Sequence, residues 1–453
     1  MSSESHCREN RRVAAAAAVA ALWLASLAIP CLRAGLRPGE HSVYPCYVAA
    51  GRAWLAGADC YSGTGYRYSP LVAVAFTPFA LLPDAIGDPL WHLLNAGVYL
   101  AGLAVWCRRV GQTFVSAGTD LDRIRHPIPP QITALFFLLV LPLSLGSLNN
   151  GQANALVLGL LLLALDAALR ERWTFTAGAI ALAGAFKVYP LMLGIVLANA
   201  FPRRIAGRLL LMIIALLILP LLCQDPHYVL EQYGSWVGHL QHDDRQVLPL
   251  PLAYRDLRLL LRMWVTPISL STYFVIQMGT AVAIMVWCRY WIVGRFSKPA
   301  RPIPAGLENR PTDPAPAPLL LALTTIWMTA LGPSTEACTY ILLAPSFAEY
   351  LIRAWRDRWP GWQQALLLGC YFLVTYPQIP LRLPGAALLS HHAAQCIGAF
   401  LFGAHVLASS RSPRQFRNAT EGVPYKTGFA VPGNHTIQCP SAPASAAAIR
   451  AAS

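Results

Sequence analysis

The chain of 453 residues is 56% hydrophobic and only 12% charged, and its mean hydropathy is +0.46. Soluble globular proteins carry about 25% charged residues, so this composition excludes an ordinary soluble domain and indicates a protein solvated mainly by lipid. The formal net charge of +14 does not indicate a nucleic-acid partner, because the basic residues stand in short clusters between long apolar runs.

Long apolar segments recur along the whole chain, and a helix needs roughly 20 apolar residues to cross the hydrocarbon core. The predicted membrane segments lie near 13–31, 88–107, 131–148, 151–170, 174–186, 190–201, 206–223, 268–293, 316–333, 338–355, 361–378 and 385–409. No small-residue cleavage site follows the first segment cleanly, which predicts an uncleaved helix rather than a signal peptide. We therefore expect an all-α, polytopic transmembrane bundle over 1–409 with about 12 membrane segments.

Basic clusters predict the orientation of this bundle. If 70–82 does not fully cross and 174–186 forms a hairpin with 190–201, the clusters all fall on one side, which the positive-inside rule makes the cytoplasm. Both termini, a Pro-rich linker at 296–315 and a polar, disordered tail at 410–453 are then cytoplasmic. The polar regions that face outward are 32–87, 146–154, 187–190, 224–267, 332–336 and 376–384. We expect an integral, multi-pass protein of a bacterial plasma membrane, in contact with membrane lipids, with its site on the extracytoplasmic face.

The first outer loop contains the leading catalytic candidate, Glu40, at the mouth of the first helix. An acid held near a bilayer is a functional candidate, and a carboxylate can act as a general base on an acceptor hydroxyl. His41, Tyr44, Arg67 and Tyr68 accompany it in the same loop. The alternative is an interfacial loop in which the tyrosines form an aromatic belt and Glu40 is simply solvated.

Two turns carry further polar candidates. Lys187 stands in an apolar stretch beside Tyr189-Pro190, where the helix must break. It either extends its ammonium to the headgroups or binds an anionic group such as a lipid phosphate. Asn150, Gln152 and Asn154 suit sugar hydroxyls, and they suit a plain turn before a helix equally well.

The remaining candidate residues are in the outer loop at 224–267 and among the cysteines. Arg255 and Arg258 are candidates for phosphate contact, because the guanidinium fork matches that geometry. The cysteines have no metal-ligand spacing, and the His-Asp-Asp run at 242–244 is too generic to predict a metal site. Cys46 and Cys60 share the first outer loop, so a disulfide between them stays open.

Three motifs together resemble glycosyltransferase family 87. The first outer loop has an acid four residues before a tyrosine, then Ala49-Ala50, a Trp-Leu-Ala-Gly-Ala-Asp segment at 54–59, and Tyr-x-Tyr-x-Pro at 66–70. Gly151-Gln152-Ala153-Asn154 and the Ala-Phe-Lys-Val-Tyr-Pro segment at 185–190 follow in the same order as in the family. The family consists of polytopic C-type glycosyltransferases, including mannosyltransferases that use polyprenyl-phosphate-mannose.

The resemblance implies metal-independent and cofactor-independent transfer of a hexose, with mannose expected. The donor would be a polyprenyl-phosphate-sugar and the acceptor a lipid or glycan hydroxyl, with inversion at the anomeric carbon. The resemblance makes Glu40 the base, where the family usually has Asp, and makes Lys187 and the outer-loop arginines the phosphate site. The substrate-binding residues expected in all are His41, Tyr44, Arg67, Tyr68, Asn150, Gln152, Asn154, Lys187, Arg255, Arg258 and Glu336.

One departure from the family leaves alternatives open. The late segment at 333–340 lacks the Trp and His that usually precede its tyrosine, and it offers Glu336 instead. A non-catalytic relative of the family is therefore one alternative. A transporter or flippase is another, although transporters often have internal repeats and this chain shows none.

Overall fold

The computed structural model describes residues 2–63, 65–114, 130–242, 245–296, 316–379 and 384–411. These residues lie in one compact unit that ends at Arg411. Within these ranges the secondary structure is helical and contains no strand, which confirms the all-α prediction. The predicted linker at 296–315 and the predicted tail at 410–453 lie almost wholly outside the described residues.

The helices follow one another with short connections. They are α1 (Ser2–Leu36), α2 (Tyr44–Leu55), α3 (Pro70–Ala75), α4 (Thr77–Ala80), α5 (Asp84–Phe114), α6 (Pro130–Asn149), α7 (Asn154–Leu169), α8 (Trp173–Phe186), α9 (Leu191–Ala200), α10 (Gly207–Ile218), α11 (Pro226–His242), α12 (Leu257–Trp264), α13 (Leu270–Phe296), α14 (Pro316–Ile326), α15 (Ala344–Arg356), α16 (Gly361–Thr375), α17 (Ala386–His391) and α18 (Ala394–Arg411). Short 3-10 or π turns lie at Pro202–Ala206, Leu219–Leu222, Arg245–Val247, Trp327–Leu331, Ala337–Leu343 and Tyr376–Gln378.

Within the described part of the chain, five helices are long and apolar enough to cross a membrane. These are Val13–Leu36, Asp84–Gly111, Pro130–Asn149, Pro202–Leu222 and Leu270–Tyr290. Shorter apolar helices lie at Asn154–Leu169, Trp173–Phe186, Leu191–Ala200, Ala317–Leu331 and Ala394–Ser410. These helices indicate an integral membrane protein, and the total of about 12 segments stays a prediction.

The helices α5 and α7 pack closely in the core. A Cβ added at Gly102 of α5 would lie 2.6 Å from the carbonyl oxygen of Gly159 in α7. Two glycines that face each other let membrane helices approach backbone to backbone. The buried side chains of Trp91, Tyr99 and Trp106 follow the same helix α5, so α5 is the central support of the fold.

The helices α8 and α9 form an antiparallel hairpin. A Cβ at Gly184 would lie 2.6 Å from Leu191 Cδ2, and one at Gly194 would lie 3.0 Å from Ile180 Cγ2. This pairing of early with late positions agrees with the hairpin that the sequence predicts. With 14 and 10 residues, the two helices are only roughly 21 and 15 Å long, and Lys187 lies at the tip between them.

Basic residues gather at the end of α7 remote from Asn154. Asp166 forms ion pairs with Arg109 at 2.5 Å and with Arg170 at 2.7 Å, and Arg204 pairs with Glu171 at 2.6 Å. These arginines belong to basic clusters near 108–125, 170–172 and 203–204, which the sequence predicts to lie on one side of the membrane. The contacts bring members of the three clusters to one end of the bundle.

Two predicted segments differ from the structure in their internal detail. The segment at 385–409 is two helices, α17 and α18, because Ala393 has a left-handed φ of 57° that interrupts the helix. The segment at 338–355 begins as a 3-10 turn and continues as α15. Hydropathy does not reveal either break, because both lie within apolar stretches.

Candidate functional site

A cavity of about 460 Å³ opens where the polar loops meet. His41 from the first loop, Asn150 and Gln152 from the turn between α6 and α7, and Glu336 from the turn before α15 line it. Asn149, Arg245, Arg255, Cys338 and Gln378 complete its polar lining. The structure therefore brings five of the predicted site residues together, from four loops that are distant in sequence.

Several hydrogen bonds anchor the side chain of Glu336 in the cavity. Its carboxylate accepts hydrogen bonds from Arg245 Nη1 at 3.0 Å and from Gln152 Nε2 at 2.7 Å. It also begins the 3-10 turn, where it accepts the backbone N–H of Thr339 while its own N–H donates to Thr339 Oγ1 at 3.2 Å. This reciprocal capping arrangement fixes the rotamer, so the carboxylate has a single orientation.

The charge of Glu336 depends on its cationic neighbours. Burial by itself would raise the pKa of this carboxyl. The ammonium of Lys187, the amide of Gln152 and the guanidinium of Arg245 outweigh that effect, and the net pKa of Glu336 is lowered. Lys187, at the tip of the α8–α9 hairpin, thus acts on the same carboxylate as Arg245, and Glu336 is ionised at neutral pH.

A chain of hydrogen bonds orients Gln152 behind the cavity wall. Tyr189 Oη donates to Asn154 Oδ1 at 3.0 Å, and Asn154 Nδ2 donates to Gln152 Oε1 at 2.8 Å. Cys338 Sγ also donates to Gln152 Oε1, at 2.9 Å. Because its oxygen is occupied in this way, Gln152 presents its amide nitrogen to Glu336. Asn154 is fully buried and supports the site without lining the cavity.

One face of α5 holds the loops around the cavity, and sequence reasoning missed it. Asp88 Oδ1 accepts from Ser42 Oγ at 2.9 Å and lies 3.1 Å from His92 Nδ1. One helical turn further, Asn95 Nδ2 donates to the carbonyl of Gln152 at 2.7 Å, while Asn95 Oδ1 accepts the backbone N–H of Leu156 at 2.7 Å. The polar residues at 88, 92 and 95 share one helix face within an apolar segment. This spacing could have identified the face from the sequence, because polar residues in membrane segments are rare and usually functional.

Glu40 is not among the residues that line the cavity. Its Oε2 is 3.4 Å from Arg37 Nη1, and its side chain is 39% exposed. The next residue, His41, has a φ of 55° and reaches the cavity. The first loop thus presents His41 to the cavity, while the Glu40 carboxylate faces Arg37 just beyond the end of α1.

The remaining first-loop candidates lie elsewhere. Tyr44 is fully buried and its hydroxyl donates to the carbonyl of Phe79 at 3.4 Å. Tyr68 Oη accepts from Tyr47 Oη at 2.9 Å within a cluster of buried tyrosines. Arg67 lines a separate cleft. Cys46 and Cys60 are free thiols, so the disulfide left open by the sequence is not formed.

The two predicted phosphate arginines bond to their own surroundings. Arg255 Nε donates to Ser390 Oγ at 2.8 Å, and Arg255 Nη1 donates to the carbonyls of Leu250 and Ala253, both at 2.7 Å. Arg258 Nε donates to the carbonyl of Ile268 at 3.1 Å. Arg255 therefore stabilises the wall of the cavity, whereas Arg245 contacts the Glu336 carboxylate.

Fold and site together define an all-helical membrane protein with a polar, mixed-charge cavity among its loops. Residues 66–254 match the sequence model of glycosyltransferase family 87, which confirms the family resemblance over that range. The match includes the turn at 151–154 and the hairpin tip at 185–190, while Glu40 and Glu336 lie outside it. The family implies a membrane glycosyltransferase. No curated protein matches the chain.

Proposed function

We propose that the protein transfers a hexose, specifically mannose, from a polyprenyl-phosphate-sugar to a lipid or glycan hydroxyl. One observation carries this proposal. Arg245 Nη1 lies 3.0 Å from the Glu336 carboxylate and the charge of Lys187 lowers the pKa of that carboxyl, at a cavity whose polar lining also includes Arg255, Cys338, His41 and several amides. Two cations suit a phosphate, and amide and carboxylate groups suit sugar hydroxyls. The chemistry matches a ligand that carries both groups.

In this proposal the donor phosphate binds between Lys187 and Arg245. Without a donor, Glu336 supplies the negative charge that offsets the repulsion between the two cations. The arginine fork is suited to phosphate oxygens, and both cations would stabilise the charge that develops on the departing lipid phosphate. Asn150 and Gln152 then face the sugar.

The general base in this proposal is Glu40. Glu336 fits this role poorly, because its cationic partners lower its pKa and those cations bind the leaving group. In an inverting displacement the acceptor attacks from the face opposite the leaving group, so the base belongs on the other side of the sugar. Glu40 is the carboxylate of the first loop, directly before His41 in the chain. Its contact with Arg37 is long, at 3.4 Å. Catalytic hydrogen bonds often tighten only when substrate binds.

The reaction is a single displacement. The acceptor oxygen forms a bond to the anomeric carbon as the bond from that carbon to the phosphate oxygen breaks. The acceptor proton passes to Glu40, and the bonding pair leaves with the polyprenyl phosphate, which departs as an anion and needs no protonation. The products are the glycosylated acceptor and polyprenyl phosphate.

The test is transfer of radiolabelled mannose from polyprenyl-phosphate-mannose by membranes that contain the full chain. We expect Glu40→Gln to lose about 100-fold or more in rate, as removal of a general base does. Lys187→Met should instead raise the donor KM, because it removes one of the two cations proposed to hold the phosphate. Glu231→Gln is the matched control, because this glutamate is 62% exposed on α11.

The outcomes separate the candidate functions. Equal rates for wild type and Glu40→Gln would remove Glu40 from the mechanism. If folded wild-type protein transfers neither mannose nor glucose from its polyprenyl-phosphate donor, the proposal fails in favour of a non-catalytic relative or a transporter.

A further inference from the structure

A second cleft, of about 400 Å³, lies between the first outer loop and α11. Asp59 and Arg67 form its loop side. The helix side consists of Ser235, Gly238, His239 and His242. These four positions follow the i, i+3, i+4, i+7 spacing of a single helix face. A Cβ placed at Gly238 would meet no atom within 4 Å, so this face looks onto open space.

The two sides of the cleft are fixed to each other. The backbone N–H of Cys60 donates to Gln232 Oε1 at 3.0 Å, and Tyr228 Oη donates to the carbonyl of Ala58 at 2.7 Å. The rings of Tyr61 and His239 stack with centroids 5.4 Å apart. The cleft is therefore already formed without a ligand, and pre-formed sites lose little free energy in ordering themselves.

The chemistry of the lining selects a class of ligand. Asp59 and Arg67 carry opposite charges, so this pair adds no net charge. Serine and histidine side chains can each donate and accept hydrogen bonds, and the volume lies within the usual range for small-ligand sites. Among the described residues no group of His, Cys, Asp and Glu is arranged to hold a metal ion. We propose that this cleft binds an uncharged saccharide.

Aromatic side chains connect the cleft to the turn at 150–152, which lines the transfer cavity. Tyr61 Oη donates to the backbone carbonyl of Tyr68 at 2.8 Å, and Tyr68 Oη accepts from Tyr47 Oη at 2.9 Å. At the cavity end Tyr47 packs against Trp91 with ring centroids 5.4 Å apart, and Trp91 Nε1 donates to the carbonyl of Gly151 at 2.6 Å. Arg67, in the cleft, directly precedes Tyr68 in the chain. On the proposed function, on which this step rests, the saccharide in the cleft is the non-reacting part of a glycan acceptor.

Saccharide binding can be measured without any transfer reaction. The full chain in lipid nanodiscs is titrated with methyl α-mannoside, mannobiose and maltose, and binding is followed by saturation-transfer-difference NMR. We expect at least one of these sugars to bind and Gly238→Trp to weaken it by about tenfold or more, because the indole would fill the cleft. Gly234→Trp is the matched control, since it lies one turn earlier on α11 with no atom within 4 Å of its Cβ and outside the cleft. Asp59→Asn is a second, smaller change in the lining of the cleft.

Each result bears on a single proposal. If none of the three sugars binds, or if Gly238→Trp binds them as tightly as Gly234→Trp does, the saccharide cleft is overturned. If binding is lost in Gly238→Trp while the wild type transfers neither mannose nor glucose, the cleft stands and the proposed transfer function fails. Where transfer occurs, Gly238→Trp should raise the acceptor KM and leave the donor KM unchanged.

Discussion

The hydroxyl of Ser42 donates a 2.9 Å hydrogen bond to the carboxylate of Asp88 and thereby ties the first outer loop to α5. The second carboxylate oxygen accepts the backbone N–H of Gly39 at 3.1 Å, and the Asp88 side chain has no exposed area. A buried carboxylate is tolerated only when such partners satisfy it. The contact therefore fixes the segment that carries Glu40 and His41, and it does so from outside the cavity.

Removing this carboxylate should loosen the first loop. We expect Asp88→Ala to lower the free energy of unfolding by about 3 kcal/mol, because Gly39, Ser42 and His92 lose a shared partner in the interior. Asp84→Asn is the control on the same helix, since the exposed pair of Asp84 with Arg52 should contribute less than about 1 kcal/mol. Thermal unfolding in detergent, followed by circular dichroism, compares the two. Equal losses would show that Asp88 is not a special anchor.

Mutations of Arg245 and Arg255 should affect different properties, donor binding for Arg245 and stability for Arg255. Arg255 bonds to three backbone carbonyls and Ser390, so Arg255→Gln should lower stability by about 3 kcal/mol through unpaired buried groups. Arg245 contacts the Glu336 carboxylate, and Arg245→Gln should raise the donor KM by about tenfold or more with little loss of stability. Parallel unfolding and transfer measurements test the contrast. A larger stability loss for Arg245→Gln would reverse the two assignments.

Sequence patterns predict the helices and the polar turns of this protein better than they predict the residues that support the site. Hydropathy predicts the apolar helices, and the polar turns between them supply His41, Asn150, Gln152 and Glu336, which meet in one cavity. The supporting role of Asp88 was missed because it lies at the start of an apolar segment, where the boundary of a membrane helix is uncertain.

The sequence also does not predict the roles of individual side chains. An arginine in a loop looks the same whether it bonds to nearby carbonyls, as Arg255 does, or to a distant carboxylate, as Arg245 does. Loop-to-loop distances decide between these roles, and a single sequence does not contain them. Tyr44 likewise matches a family motif, yet its ring packs against Phe76 and Phe79 in the core.

The link between Lys187 and Glu336 predicts a pH effect. The folded-state pKa of Glu336 is lowered from its usual 4.5, so its contribution to stability is fully present above the unfolded value of 4.5 and is lost as the pH falls from there through the lowered folded-state pKa. Lys187→Met removes the largest charge effect that lowers this pKa, so the acid loss of stability should move to higher pH. Thermal unfolding between about pH 3 and pH 7 tests this. In a Glu336→Gln background the lysine substitution should no longer move the profile, and a shift that persists there would have another source.

Asp256 provides a prediction of the opposite sign. It precedes α12, is almost fully buried, and accepts the backbone N–H of Leu259 at 3.1 Å. Burial raises its pKa from 3.8 to about 6. The folded state therefore binds the proton more tightly than the unfolded chain, and the contribution of Asp256 to stability falls as the pH rises from 3.8 to about 6.

An asparagine at position 256 should keep the cap and remove this dependence. Its side-chain oxygen can accept the same N–H, and it has no charge to bury. We expect Asp256→Asn to equal or exceed the wild type in stability at about pH 7.5 and to lose the decline between about pH 4 and pH 6. Asp256→Ala, which loses the cap, should be less stable than Asp256→Asn by about 1 kcal/mol at both ends of that range. Thermal unfolding of the three proteins at each pH measures this, and an Asp256→Asn protein that keeps the wild-type decline would show that another group titrates there.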